Sequence, residues 1–136
     1  IDRVFIMVLA GPDLPALKKF YLETFRLGDQ GDLSFPVGVL SHAQGLPADH
    51  NYDLSVLVAS ERGNKLELDQ YEPKFGARPG PADQLPPGIA MTTFEADSLG
   101  NLNVDFITPP APHYDGYMAG TFIGPAGERT ELVVKK

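Results

Sequence analysis

Two glutamates occupy similar positions in two strand-like segments of this chain. Glu67 lies between two leucines in segment 65–69, and Glu131 lies between a threonine and a leucine in segment 129–133. Side chains in a β-strand alternate between its faces, so each glutamate points away from its two neighbours. Two carboxylates at equivalent points of a duplicated fold would point into one shared cavity, where they could bind a metal or move protons. Glu67 and Glu131 are therefore the first candidate catalytic residues.

The elements that position Glu67 are predicted as one helix and four strands. Apolar side chains recur at helical spacing over residues 14–27, after the good N-cap Asp13 and before Gly28, which suits the position after a helix end. Alternation and turn residues predict the strands, which are 3–10, 37–41, 52–59 and 65–71.

The second half of the chain is predicted to repeat this order. Residues 72–88 contain five prolines and three glycines, too many for the interior of a helix or strand. A strand at 89–95 and a short helical stretch from Asp97 to Leu102 follow this segment. Three more strands are predicted, at 107–114, 117–123 and 129–134. We predict a single domain, 1–136, made of module one (1–72), a proline-rich linker (73–87) and module two (88–136).

The composition excludes several classes of partner. The chain has 136 residues, of which 11 are basic and 18 acidic, giving a formal charge of -7. This charge speaks against a nucleic acid or an anionic membrane as partner. The apolar stretches fall short of the ~20 residues that span a bilayer, and the absence of cysteine fits a reducing compartment. We therefore expect a soluble, cytoplasmic protein.

Two segments of the sequence resemble those of a known superfamily. These are the opening pattern Asp13-Leu14 … Phe20-Tyr21 … Leu27-Gly28 and the closing segment from Phe122 to Val133. Together they resemble the vicinal oxygen chelate superfamily, which includes glyoxalase I, extradiol dioxygenases, fosfomycin-resistance enzymes and bleomycin-resistance binding proteins. The resemblance implies an α+β fold. In that fold two βαβββ modules form mixed sheets that curl into an open barrel around a cleft.

The resemblance also implies where a metal would bind. Metal-dependent members place ligands on the first and fourth strands of each module, which correspond here to Arg3, Met91, Glu67 and Glu131. An arginine is a permanent cation that cannot ligate, and a methionine thioether suits soft metals. The resemblance thus implies a degenerate metal site, so no cofactor is predicted. We expect Arg3 to take the place of the metal and to bridge the two glutamates.

The remaining candidates would contact the substrate. Apolar side chains are expected to wall the cleft, two histidines to reach its mouth as acid–base groups or substrate contacts, and one tyrosine to supply a hydroxyl. The apolar residues are Phe5, Met7, Met91 and Phe122, the histidines are His42 and His113, and the tyrosine is Tyr117.

Three functions remain open from the sequence. The first is a protein that binds a small organic molecule, or a metal-free lyase or isomerase, with Arg3 facing a carboxylate, enolate or phenolate. The second is a divalent-metal-dependent lyase or dioxygenase that uses Glu67 and Glu131 with a noncanonical histidine. The third is a non-catalytic domain of a tandem or dimeric protein, so the expected partners are a small organic ligand and a second copy or module.

Overall fold

The computed structural model describes residues 5–60, 64–72, 85, 89–100 and 102–135. The chain forms two compact units, Ile1–Gly76 and Ala77–Lys136. Over the described residues, each unit contains one four-stranded mixed sheet, and neither sheet closes on itself. The α+β class and the two-module organisation are therefore confirmed. Nearly all of the predicted linker lies outside the described residues, so the linker stays a prediction.

Within its described residues, the first unit contains four strands and two α-helices. In chain order its elements are β1 (Ile6–Gly11), α1 (Leu14–Phe25), β2 (Gly28–Pro36), α2 (Gly38–Gln44), β3 (Asn51–Val58) and β4 (Lys65–Gln70). The sheet order is β1-β4-β3-β2, in which β1 and β4 are parallel and the other neighbours are antiparallel.

The second unit repeats this strand order. Its strands are β5 (Thr92–Glu95), β6 (Phe106–Pro112), β7 (Tyr117–Ile123) and β8 (Arg129–Lys135), with a 3₁₀ helix at Tyr114–Gly116. The sheet order is β5-β8-β7-β6, and β5 and β8 are parallel. In both units the first strand pairs in parallel with the fourth, so the predicted repeat exists in the topology although the two halves share little local sequence.

Local chemistry fixes the ends of α1 and its packing. The Asp13 carboxylate accepts the N–H of Ala16 at 3.0 Å, which caps the first turn. The helix ends at Phe25 because Arg26 adopts a left-handed conformation, two residues earlier than the apolar spacing predicts. Helix α1 contacts β3 and β4 and buries Leu17 and Tyr21. One face of β4 is therefore the core side of the first unit.

The sequence prediction and the structure differ at three places: two predicted elements are absent and one strand was missed. The strand predicted at 37–41 is wrong, because these residues lie largely in α2, which Gly45 ends in a left-handed conformation. The neighbouring strand β2 was missed because its sequence is polar and its residues are exposed. It is defined by pairing with β3 across a bulge that contains Gly31. The helix predicted from Asp97 is absent from described residues 97–100 and 102, where a turn is held by a hydrogen bond from Gly100 N–H to Ser98 Oγ. Within the described ranges, no helix is long and apolar enough to cross a membrane.

Candidate functional site

Glu131 lies at the centre of the second sheet. Its strand, β8, runs between β5 and β7, and the residues directly beside Glu131 are Thr93 on β5 and Thr121 on β7. Glu131 is only 8 % exposed, and its Oε2 accepts a hydrogen bond from Thr93 Oγ1 at 2.8 Å. A charge-assisted bond of this kind fixes the orientation of the carboxylate.

The second oxygen of this carboxylate faces an imidazole. His113 Nε2 lies 3.8 Å from Glu131 Oε1, and the histidine side chain is 48 % exposed. The backbone N–H of His113 donates to the carbonyl of Tyr117 at 2.8 Å, which holds the histidine at the end of β6. Its ring lies 4.4 Å from that of Tyr114, whose ring lies 6.0 Å from that of Tyr117. One oxygen of the carboxylate is therefore fixed by a hydrogen bond from the neighbouring strand, and the other faces an accessible acid–base group.

Thr121 completes this arrangement, which we call the Glu131 cluster: Glu131, His113, Thr93 and Thr121. The Thr121 hydroxyl is buried and has no hydrogen-bond partner among the described residues. Sequence reasoning found Glu131 and His113 but missed both threonines. Their positions beside Glu131 follow from the strand register, which cannot be read from one sequence before the strand pairs are known. Chemically, the cluster offers an oriented carboxylate, an imidazole and an unused hydroxyl.

Glu67 occupies the corresponding strand in the first unit but has different neighbours. The residues directly beside it are Val8 on β1 and Val56 on β3. Glu67 is half-buried, and within the described ranges its carboxylate has no hydrogen bond or ion pair. It points to the side opposite Leu66 and Leu68, which are buried in the core, as the alternation predicted.

A second carboxylate lies on the Glu67 side of the sheet. Asp69 is 6 % exposed and sits directly between Ala10 on β1 and Leu54 on β3. Its Oδ1 has no hydrogen-bond partner in the described part of the chain. Burial raises the pKa of Asp69 to about 6, and the charge of Glu67 adds to this effect. The sequence signal was available, because a residue two positions from Glu67 in a strand must share its face.

The other predicted site residues are scattered, and their roles stay predictions. Met7 pairs with Leu66, on the opposite side of the first sheet from Glu67. Phe122 is buried beside Thr130, on the opposite side of the second sheet from Glu131, and its ring packs edge-on against Phe106.

Three further candidates lie away from the glutamates or on exposed segments. His42 is exposed within α2 rather than at a strand end, Phe5 is exposed just before β1, and Met91 is 37 % exposed just before β5. Arg3, the predicted bridge between the glutamates, lies outside the described residues.

The donors around Glu131 do not complete the metal site that the sequence resemblance implied. The β5 residue beside Glu131 is Thr93 rather than a histidine, and its hydroxyl already donates to the carboxylate. Across the described residues, no group of three or more His, Cys, Asp or Glu side chains could hold a metal ion. A carboxylate and one imidazole fall short of the three or four protein ligands typical of such centres. The described residues alone therefore do not complete such a centre.

A cleft of about 640 Å³ lies elsewhere in the first unit, between α1 and the strands β2 and β3. Lys18 in its lining forms ion pairs with Asp29 and Asp32 at 2.8 and 2.7 Å. Gln70, also in its lining, accepts the N–H of Leu14 and donates to two backbone carbonyls. These polar groups are thus paired within the protein, and the lining contains none of the predicted site residues.

Comparison with known proteins identifies the fold. No family model matches the chain, and no curated protein matches it. Among solved structures, a glyoxalase family protein from Bacillus cereus is similar over 98 % of this chain and 94 % of its own, with a TM-score of 0.75 and 14 % identity. A glyoxalase/dioxygenase from Nostoc punctiforme is similar over 99 % and 92 %, with a TM-score of 0.67 and 17 % identity.

A third solved structure belongs to a protein described by what it binds. This antibiotic-binding protein from a Streptomyces species is similar over 100 % of this chain and 98 % of its own, with a TM-score of 0.62 and 17 % identity. At these sequence identities the similarity shows a shared fold only, because the chemistry of a protein depends on the residues of its site. The protein therefore has the two-module fold of these glyoxalase-type structures, which is the fold that the resemblance of its opening and closing segments implied.

Proposed function

We propose that this protein binds a small organic molecule at the Glu131 cluster and moves a proton on it without a metal, as a lyase or isomerase does. The observation that carries the proposal is the buried Glu131 carboxylate, which Thr93 orients on one side and His113 adjoins on the other. A general base needs a fixed orientation and a nearby group that can exchange protons with the substrate. Both requirements have a counterpart in this cluster.

The proposed step is proton abstraction next to a carbonyl group. The Glu131 carboxylate removes a proton from the carbon next to the carbonyl, the electron pair of the broken C–H bond forms a C=C bond, and the π pair of the C=O bond moves to oxygen. His113 in its protonated form donates a proton to that oxygen and stabilises the enol. In the second half of the reaction His113 takes back the O–H proton and the C=O bond re-forms. If the substrate is conjugated, Glu131 returns its proton to the γ-carbon and gives an isomer; if the β-carbon carries a leaving group, that group departs with its bonding electrons, takes the proton from Glu131 and gives a lyase product. Arg3, as the sequence prediction has it, would add positive charge near the carbonyl oxygen.

The fold neighbours support both versions of the proposal. One is described as an antibiotic-binding protein and another as a glyoxalase family protein, so one neighbour is named for binding and another for an enzyme family. In this chain the aromatic rings of Tyr114 and Tyr117 lie close to His113 and would supply apolar contact area for a ligand.

The test measures binding and proton transfer separately. A panel of small ketones and phenols is screened by thermal shift, and each binder is incubated with the protein in D₂O and followed by NMR for loss of its C–H signal. Glu131→Gln should lower the rate of C–H exchange by about 10²-fold or more, and the variant should remain folded. The matched control is Glu23→Gln, an exposed change on α1. Exchange that is equal in both variants would overturn the proposed reaction.

A divalent-metal enzyme is the second candidate. The 3.8 Å separation of His113 Nε2 and Glu131 Oε1 would let both residues contact one ion after a small adjustment. Such a site would need further donors. Metal analysis of protein purified without a chelator decides the point. A stoichiometric divalent ion that is lost in both Glu131→Gln and His113→Gln, but kept in His42→Gln, would replace the metal-free proposal.

We also propose that the protein associates with a second copy. Strand β2 lies at the end of the first sheet, and its side chains Leu33 and Phe35 are 54 % and 44 % exposed. Exposed apolar side chains on an end strand favour pairing with another chain. The solution mass of the protein, compared with that of a Leu33→Lys variant, tests this. A monomeric mass for the unchanged chain would contradict the association.

A further inference from the structure

Two aspartate–serine pairs lie next to each other in the cleft of the first unit. Strands β2 and β3 place Asp32 directly beside Ser55, and Ser34 directly beside Asp53. Residues two positions apart in a strand share a face, so both pairs lie on the same side of the sheet. All four residues line the cleft of about 640 Å³ that α1 bounds on its other side. The cleft therefore contains the same two types of side chain twice.

The first pair binds an ammonium group of the protein itself. Lys18 Nζ donates to Asp32 Oδ1 at 2.7 Å, and the Ser55 hydroxyl donates to the same oxygen. The hydrogen bond from Lys18 lowers the pKa of Asp32, so this carboxyl is charged at neutral pH. The same ammonium group also forms an ion pair with Asp29 at 2.8 Å. An aspartate–serine pair in this cleft is thus a binding place for an ammonium group.

The second pair has no cation of the protein beside it. Asp53 and Ser34 are exposed, and within the described ranges neither side chain makes a hydrogen bond or an ion pair. Lys18, the basic residue in the described lining, is already neutralised by two aspartates. Asp53 therefore carries a negative charge that nothing in the described lining compensates, and a cationic ligand suits this cleft better than an anionic one.

The space beside the second pair is large enough for a small molecule. The volume of the cleft falls within the range of about 300–1,000 Å³ that is usual for ligand sites. Leu14 and Pro15, in the first turn of α1, contribute apolar groups to the lining. Asp53 also lines a smaller cavity of about 150 Å³, to which Glu72 adds a second carboxylate. A ligand at Asp53 would thus have an apolar wall on one side and acidic groups on the other.

We propose that this cleft binds a small organic ammonium ion at the pair formed by Asp53 and Ser34. The ammonium group donates to the Asp53 carboxylate and the Ser34 hydroxyl, in the way that Lys18 donates to the neighbouring pair. The hydrocarbon part of the ligand contacts Leu14 and Pro15. The site does not depend on the reaction proposed above.

The test uses two probes of the same shape and different charge. Benzylamine is a cation at neutral pH, whereas benzyl alcohol is neutral. Binding of each to the full chain is measured by ¹H–¹⁵N NMR titration, which gives both the Kd and the amides that respond. We expect benzylamine to bind about threefold more tightly or better, since ion pairs of exposed groups are weak, and to shift the amide signals of Ser34 and Asp53.

Three variants locate the effect. Asp53→Asn should remove the preference for benzylamine, and Ser34→Ala should reduce it. The matched control is Asp49→Asn, which removes the same charge from an exposed position of the same unit outside both linings and should keep the preference. All three positions are exposed, so the variants should remain folded.

Three outcomes would overturn the proposal. The first is equal binding of the two probes, or a preference for benzylamine that survives Asp53→Asn. The second is an equal loss in Asp53→Asn and Asp49→Asn, which would mean a general attraction of cations to an acidic chain. The third is displacement of benzylamine by stoichiometric Ca²⁺, which would mean that Asp53 belongs to a metal site.

Discussion

The fourth strands of the two units carry glutamates at similar places, yet the two side chains have different surroundings. Glu131 lies between Thr93 and Thr121, accepts a hydrogen bond and adjoins His113. Glu67 lies between two valines and has a second acid, Asp69, on the same side. A duplicated backbone therefore holds two chemically distinct carboxylates. The strand position determines where a carboxylate points, whereas the residues on the adjacent strands determine what it can do.

The largest effect that we expect concerns the buried acid of the first unit. The pKa of Asp69 is about 6 in the folded chain against 3.8 for the free side chain, so the folded state binds its proton more tightly. The free energy of unfolding should therefore fall by about 2–3 kcal/mol as the pH rises from about 4 through about 6, and this component should be constant above that range. In Asp69→Asn this loss should be absent.

Urea unfolding at a series of pH values measures this component. Asp97→Asn, an exposed change in the second unit, is the control and should follow the unchanged chain throughout. If the free energy of unfolding of Asp69→Asn varied with pH in the same way as that of the unchanged chain, Asp69 would not be a desolvated carboxyl. The proposed difference between the two units would then be contradicted at this residue.

A smaller effect is expected from the hydrogen bond that distinguishes Glu131. Thr93→Val removes the donor to Glu131 Oε2 and keeps the shape of the side chain. Leaving a buried carboxylate oxygen unpaired costs about 1–3 kcal/mol, so chemical denaturation should give a loss in that range. Thr93→Ser restores the hydroxyl and should recover most of it. Val8→Thr, at the corresponding place beside Glu67, should change the free energy of unfolding by less than Thr93→Val does; the opposite order would contradict the distinction.

Sequence reasoning predicted the parts of the fold that strong local signals specify. Helix α1 follows from Asp13 and its apolar spacing, and the inward or outward direction of Glu67 and Glu131 follows from alternation within one strand. Strand β2 could not be predicted, because its polar, glycine-containing sequence gains strand geometry only by pairing with β3. The apolar run at 37–41 looked like a strand, but it forms part of a short helix ended by Gly45.

The site was predictable to a similar extent. Glu131 and His113 were both named, but nothing in the sequence says that β6 brings the histidine to within 3.8 Å of the carboxylate. The roles of Thr93 and Thr121 depend on strand register, a long-range property of the sheet. Asp69 was not among the predicted site residues, although alternation places it on the same side of the sheet as Glu67. Its burial follows from the tertiary packing on the side of the sheet that it shares with Glu67.

The most direct test of the account compares the two glutamates in one assay. Glu131→Gln and Glu67→Gln are the same chemical change at topologically equivalent strands, and both are measured for C–H exchange in D₂O with whichever ketone the screen identifies. The account predicts a loss of about 10² -fold or more for Glu131→Gln and a change of less than about threefold for Glu67→Gln. Equal losses in the two variants, or a greater loss for Glu67→Gln, would contradict the assignment of the reaction to the Glu131 cluster.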